Sequence, residues 1–146
     1  MNPNGATWIG KLRRAAVYCR DGEQCLACGA SRGPCESCWL PSCYRLTLDH
    51  VIPRALSGSN TPHNLITMCC ACNASRGSAP IAEWRPGILS LVNRCRKRSL
   101  SRVNRDAVHA LAAELWPAWY AREIVGKARA MRNRGNSLKF EYGAAA

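Results

Sequence analysis

Apolar residues near the start of the chain fall at a helical spacing. Trp8, Ile9, Leu12, Ala15, Ala16 and Cys19 recur every three or four positions, which predicts one buried face of a helix, with Gly22 in RDGEQC as a fitting stop. The pattern then changes. Arg45 to Ile52 is mostly apolar and β-branched and predicts a strand ended by Pro53, after which SGSNTPHN (57–64) is a loop by composition. Leu65 to Met68 predicts a second short strand, and ASRGSAP after Asn73 allows one short helix and then a break. The middle of the chain therefore predicts β-loop-β-helix. Further on, Val108, Leu111, Ala112 and Leu115 mark an amphipathic helix, closed or kinked at Pro117. Tyr120, Ile124, Ala128 and Met131 mark another, with Arg122, Arg129 and Arg132 on a different face. These stripes are packing faces, and the tail NSLKFEYGAAA reads as frayed.

Cysteine changes this picture. The chain has 10 cysteines in 146 residues, and its N-terminus lacks the apolar run of a secretory signal. The expected compartment is the cytoplasm, which keeps thiols reduced and argues against a disulfide framework. Two pairs stand out: Cys25-Leu26-Ala27-Cys28 and Cys69-Cys70-Ala71-Cys72. Two C-x-x-C turns let four thiolates converge tetrahedrally on one structural zinc. Cys35 and Cys38 with Cys43, and Cys70 as a fourth, leave open a second zinc. Cys19 and Cys95 are most simply packing residues.

Charge points to a partner. Residues 1–70 carry 7 Lys/Arg against 4 Asp/Glu, and residues 71–146 carry 14 against 5, so +9 of the net +12 lies in the second half. That asymmetry favours a polyanion, with nucleic acid the expected partner. Arg94, Arg96, Lys97 and Arg98, followed by Arg102 and Arg105, form a dense basic segment suited to gripping a nucleic-acid backbone, and Arg54 is a further candidate. No run of apolar residues is long enough to span a membrane, so no membrane partner is expected.

One polar pair remains. Asp49-His50 stands at the end of the first strand, just ahead of Val51-Ile52-Pro53. The order Cys25-x-x-Cys28, Asp49-His50, Asn64-Leu65, Cys69-x-x-Cys72-Asn73 and Arg76-Gly77 closely resembles the HNH endonucleases. RDGEQCLACG, at 20–29, is similar to the usual lead-in to that motif. The resemblance covers about residues 12–78.

The resemblance implies a small ββα-metal core tied by the four-cysteine zinc, and with the helices predicted from periodicity the expected fold is α+β, this core flanked by an N-terminal helix and C-terminal basic helices. Residues 1–80 would be the nuclease core with its helix, and charge and apolar spacing make 81–146 a basic helical extension. His50 would be the general base that accepts a proton from water attacking a phosphodiester. Asp49 and Asn73 would hold a divalent metal, leaving 5′-phosphate and 3′-hydroxyl ends. Asn64 would hydrogen-bond backbone across the loop and so aim His50, and Arg76 would contact the scissile phosphate. The family often has histidine where this chain has Asn73. An amide oxygen is the harder ligand, so Mg²⁺ or Mn²⁺ is expected rather than Zn²⁺ or Ni²⁺. His63 reads as a loop histidine. One core would cut one strand, and a double-strand break would need two binding events or a homodimer. Two other readings compete: a zinc-stabilised DNA-binding module without cleavage, and a thiol redox protein, which lacks its βαβ context here.

Overall fold

The computed structural model describes residues 9–35 and 45–134. Trp8 and the tail from 135 onward lie outside them. The first helix, α1, runs Lys11–Arg20 and buries Ala15 and Ala16, as the spacing predicts. It stops at Asp21, and Gly22 follows with φ +82, a conformation that suits glycine.

Strands β1 (Leu46–His50) and β2 (Leu65–Cys69) pair antiparallel, with Leu46 opposite Cys69 and His50 opposite Leu65. The strand predicted over 45–52 is shorter at both ends, for different reasons. Arg45 takes φ +68 and cannot extend it backward. At the other end, the Ile52 N–H and C=O are taken by the Asn64 side chain, at 2.8 and 3.0 Å, rather than by a neighbouring strand. The predicted short helix is α2, Cys70–Arg76.

Beyond it come α3 (Ile81–Trp84), α4 (Leu89–Arg96) and α5 (Arg105–Leu115). Asn104 caps α5 by accepting from the Ala107 N–H at 3.0 Å. Val108, Leu111, Ala112 and Leu115 are its buried residues, as the stripe predicts. The helix ends at Trp116, whose φ and ψ of −136° and 63° are not helical, and Pro117 opens the next one at its first position. That run comprises α6 (Pro117–Trp119), a π-type stretch (Tyr120–Val125) and α7 (Gly126–Asn133).

Adjacent strand residues face opposite ways, so the hairpin serves two cores. Leu46 and Leu48 pack with α1 and α5, against Ala15, Ala16, Val108 and Leu111. Ile66 and Met68 pack on the other side with Cys25, Leu26, Ile81, Val92 and Cys95. Helices from the second half of the chain thus complete both cores. Among the described residues no helix is long and apolar enough to cross a membrane.

A buried ion pair locks α1 to the hairpin. Arg20 Nε donates to Asp21 Oδ1 at 2.7 Å, and its Nη atoms donate to the Pro62 carbonyl at 2.8 Å and the Leu65 carbonyl at 2.6 Å. Asp21 Oδ2 in turn accepts the Thr67 N–H at 2.8 Å. Both side chains are shielded from water, so truncating one strands a buried charge. Arg20→Met is expected to lower unfolding free energy by about 3–5 kcal/mol, and Arg20→Met/Asp21→Asn to recover part of it. Urea denaturation of both variants measures this.

Candidate active site and metal centre

The cysteine cluster forms where two backbone turns meet. Gly29, at φ +77, lets the chain turn after Cys28, and its N–H donates to the Cys25 carbonyl at 2.8 Å. Leu26 N–H donates to the Thr67 carbonyl at 3.1 Å, which fastens this turn to β2. Cys69 ends β2 and caps α2, its Sγ accepting the Cys72 N–H at 3.4 Å. The four Sγ atoms of Cys25, Cys28, Cys69 and Cys72 all lie within 4.8 Å of one another, and those of Cys28 and Cys69 are 3.7 Å apart. A tetrahedral zinc with Zn–S near 2.3 Å needs sulfurs about 3.8 Å apart. Geometry and donor type both fit, and the cluster could hold a zinc ion.

The thiols differ in acidity. Burial pushes Cys69 and Cys72 up, and for Cys72 the neighbouring thiols add to it. Cys28 is held low: burial opposes this, but the Ala30 backbone and the surrounding thiols outweigh it. Packing readings hold for the outlying pair, since Cys95 is buried and Cys19 has its thiol pushed up to about 11, first by burial and then by Glu23. Of the second cysteine group, Cys35 and Cys70 are half-buried, and Cys38 and Cys43 lie outside the described residues.

At the other end of α2 lies the Asp-His pair. Thr47 and Asp49 face α2, and His50 falls on the opposite side at the last rung of the hairpin. Arg76, only 2% exposed, donates to Asp49 Oδ2 at 2.8 Å, to the His50 carbonyl at 2.7 Å, to the Val51 carbonyl at 2.8 Å and to the Ala79 carbonyl at 2.9 Å. This differs from the expected phosphate contact. The guanidinium is buried and turned inward, and it positions Asp49 and the turn after His50 instead.

Asn73 reaches the same face. Thr47 Oγ1 donates its proton to the Met68 carbonyl at 3.0 Å, so toward Asn73 it must accept, and Asn73 Nδ2 donates to it at 2.9 Å. That fixes the amide orientation and leaves Asn73 Oδ1 as its remaining donor to a cation. Arg76 likewise uses Asp49 Oδ2 and not Oδ1. The available atoms are hard oxygens, which fits a hard divalent ion.

Asn64 bridges the loop. Besides Ile52, its Nδ2 donates to the Ser59 carbonyl at 2.9 Å, and its own carbonyl accepts the Val51 N–H at 2.8 Å. Composition alone did not mark Asn60 and Gly58. His50 Nε2 lies 2.8 Å from Asn60 Oδ1, and a histidine that donates there keeps its lone pair on Nδ1. A Cβ on Gly58 would stand 1.7 Å from the Ile52 carbonyl oxygen and 2.9 Å from Asn64 Nδ2.

The basic segment closes in from α4. Arg96 donates to the His63 carbonyl at 3.2 Å, and Arg98 to the Arg20 carbonyl at 3.3 Å, while Arg94 and Lys97 are exposed. Arg54 is exposed on the turn after His50, and His63 is an exposed loop residue, as read from the sequence.

With this geometry in place, residues 35–79 match the HNH endonuclease family. Two proteins titled CRISPR-associated endonuclease Cas9 are similar to the chain. That of Corynebacterium diphtheriae is 42% identical over 77 residues, 51% of this chain and 7% of its own length. That of Actinomyces naeslundii is 36% identical over 76 residues, 51% of this chain and 6% of its own length. The match is therefore to a small segment of much larger proteins. No solved structure matches.

Since the Gly58 contact is with backbone, it cannot be relieved by a rotamer change. Gly58→Ala is expected to cost at least about 2 kcal/mol. Hydrogen exchange should show the Ile52 amide losing its protection in that variant, with the Thr67 amide largely unaffected.

Proposed function

We propose that this chain is a metal-dependent endonuclease that hydrolyses phosphodiester bonds in DNA, with His50 as its base. The observation that carries this reading is the arrangement at the end of β1. Asp49 and Asn73 are both tied on the α2 side of β1, Asp49 through Arg76 and Asn73 through Thr47, and His50 lies on the other. In-line displacement at phosphorus needs those two functions on opposite sides of the reacting centre.

The residues would divide the work as follows. Asn60 holds the imidazole through Nε2, and Nδ1 takes a proton from the attacking water. The water oxygen bonds to phosphorus, the bond from phosphorus to the 3′ oxygen breaks, and that oxygen takes a proton from solvent. The ends are then a 5′-phosphate and a 3′-hydroxyl. Asp49 and Asn73 would hold Mg²⁺ or Mn²⁺, which supplies positive charge where the leaving oxygen becomes negative. Arg76 and Asn64 act through others: the first fixes Asp49, the second fixes the loop. The four-cysteine cluster would hold a structural zinc. Arg54, Arg94, Arg96, Lys97 and Arg98 would meet phosphates along the backbone. The relatives give no support to a homodimer, so one strand cut per encounter is the expected outcome.

Supercoiled plasmid incubated with zinc-loaded protein and Mg²⁺ or Mn²⁺ tests this. Wild type should convert it to open circles, and His50→Ala should lose at least about 100-fold in rate. Binding without cutting in any divalent metal would instead make the chain a zinc-stabilised DNA-binding module.

The zinc has its own test. Ligand-bound structural zinc contributes about 10–16 kcal/mol in small zinc-folded units. Exhaustive chelation is therefore expected to lower the melting temperature sharply and reversibly, with metal analysis giving one zinc per chain from this cluster. A redox dithiol would melt unchanged.

A further inference from the structure

Large apolar side chains are scarce on the surface of the described residues. Ile52 is 53% exposed and Leu56 is 65% exposed, and with Val125 they are the large apolar residues left open among those described. Isolated exposed apolar residues are ordinary. These two are not isolated: they lie two and six positions after His50, on one turn, with exposed Arg54 between them.

The turn is also firmly braced. Asn64 holds Ile52 through both backbone groups, at 2.8 and 3.0 Å, and Arg76 holds the Val51 carbonyl at 2.8 Å. Leu56 and Gly58 N–H groups both donate to the Pro53 carbonyl, at 2.9 and 3.0 Å. Gly58 sits so close to the Ile52 carbonyl that only glycine fits. So much local order is spent on presenting two apolar side chains to water beside the base. Their partner must combine apolar faces with negative charge, because Arg54 stands between them on a chain of net charge +12. Nucleic acid has both, in its base faces and its phosphates.

We infer that Ile52 and Leu56 form an apolar wedge that enters between bases beside the scissile phosphate, with Arg54 on the adjoining phosphate. The substrate class that follows is duplex that unstacks easily: mispaired, bulged or otherwise distorted DNA. This inference rests on the nuclease reading above and refines its substrate. Unstacking costs least where bases are already mispaired, so the wedge converts distortion into affinity.

The test uses the full chain carrying His50→Ala, zinc-loaded, with Mg²⁺ present. Its affinity is measured by fluorescence anisotropy for a perfect duplex and for the same duplex with two central mismatches. The mismatched duplex should bind about tenfold tighter, and 2-aminopurine at the mismatch should change its fluorescence on binding. Adding Ile52→Ser and Leu56→Ser should abolish that preference while perfect-duplex affinity stays within about twofold, since phosphate contacts carry the latter. Leu56→Gln alone, at the more exposed position, should reduce the preference and guards against a folding defect in the double variant. A preference that survives these substitutions, or none in the parent, overturns the wedge and leaves the nuclease reading standing. No binding to either duplex by the parent overturns the nuclease reading and the wedge with it. If the substitutions abolish self-association in sedimentation without changing DNA preference, the turn is a contact between copies and the wedge is wrong.

Discussion

The Arg76 guanidinium is where helix, strand and loop are held to one another. Helix α2 has seven residues, too few to be stable by itself. It is pinned at its first turn by Cys69 and Cys72 and at its last by Arg76, which reaches Asp49 and three carbonyls. Asn73 lies between those pins, so its position relative to Asp49 follows from them. The cysteine cluster and the Asp-His pair are thus two ends of one short rigid element. Disturbing the cluster should be felt at Asp49 through α2.

Three buried polar anchors recur around this hairpin: Arg20 with Asp21, Asn64, and Arg76 with Asp49. Each replaces backbone pairing that the sheet does not supply. A two-stranded sheet leaves most of its edges and its loop without partners. Arg20 takes the Pro62 and Leu65 carbonyls, Asn64 takes both groups of Ile52, and Arg76 takes the His50 and Val51 carbonyls. Buried polar groups of this kind add little net stability but penalise every alternative geometry. The loop between the strands is therefore long by sequence yet fixed in shape.

Much of this was legible beforehand because it depends on local spacing. The two C-x-x-C turns, the Asp-His pair and the apolar period of α1 and α5 are all short-range patterns, and they reappear in place. What the sequence did not disclose depends on contacts across many residues. The inward turn of Arg76 is one: a basic residue on a helix looks the same whether its guanidinium meets solvent or Asp49, 27 positions away. Asn60 and Gly58 are others. Both look like ordinary loop residues, and only the fold brings Asn60 to the His50 ring and Gly58 against Ile52. The far end of the first strand was misread for the same reason, since Ile52 is extended by composition but has its backbone groups claimed by a side chain.

The second half of the chain shows the same dependence on distant contacts. Composition marks it as a basic helical extension, yet α4 and α5 supply buried residues to both cores, so the hairpin has no complete core without them. Their charge is fastened too. Arg96 and Arg98 each spend a guanidinium N–H on a backbone carbonyl from the first half of the chain, at His63 and Arg20. Arginine has five such donors, so an N–H given to a carbonyl leaves others for a phosphate. These two ties set Arg96 and Arg98 against the hairpin side of α4, while Arg94 and Lys97 are exposed. On the proposed reading, a nucleic-acid backbone comes to this face in a register set by α4 relative to His50, and the helices share in aiming a phosphate at that residue.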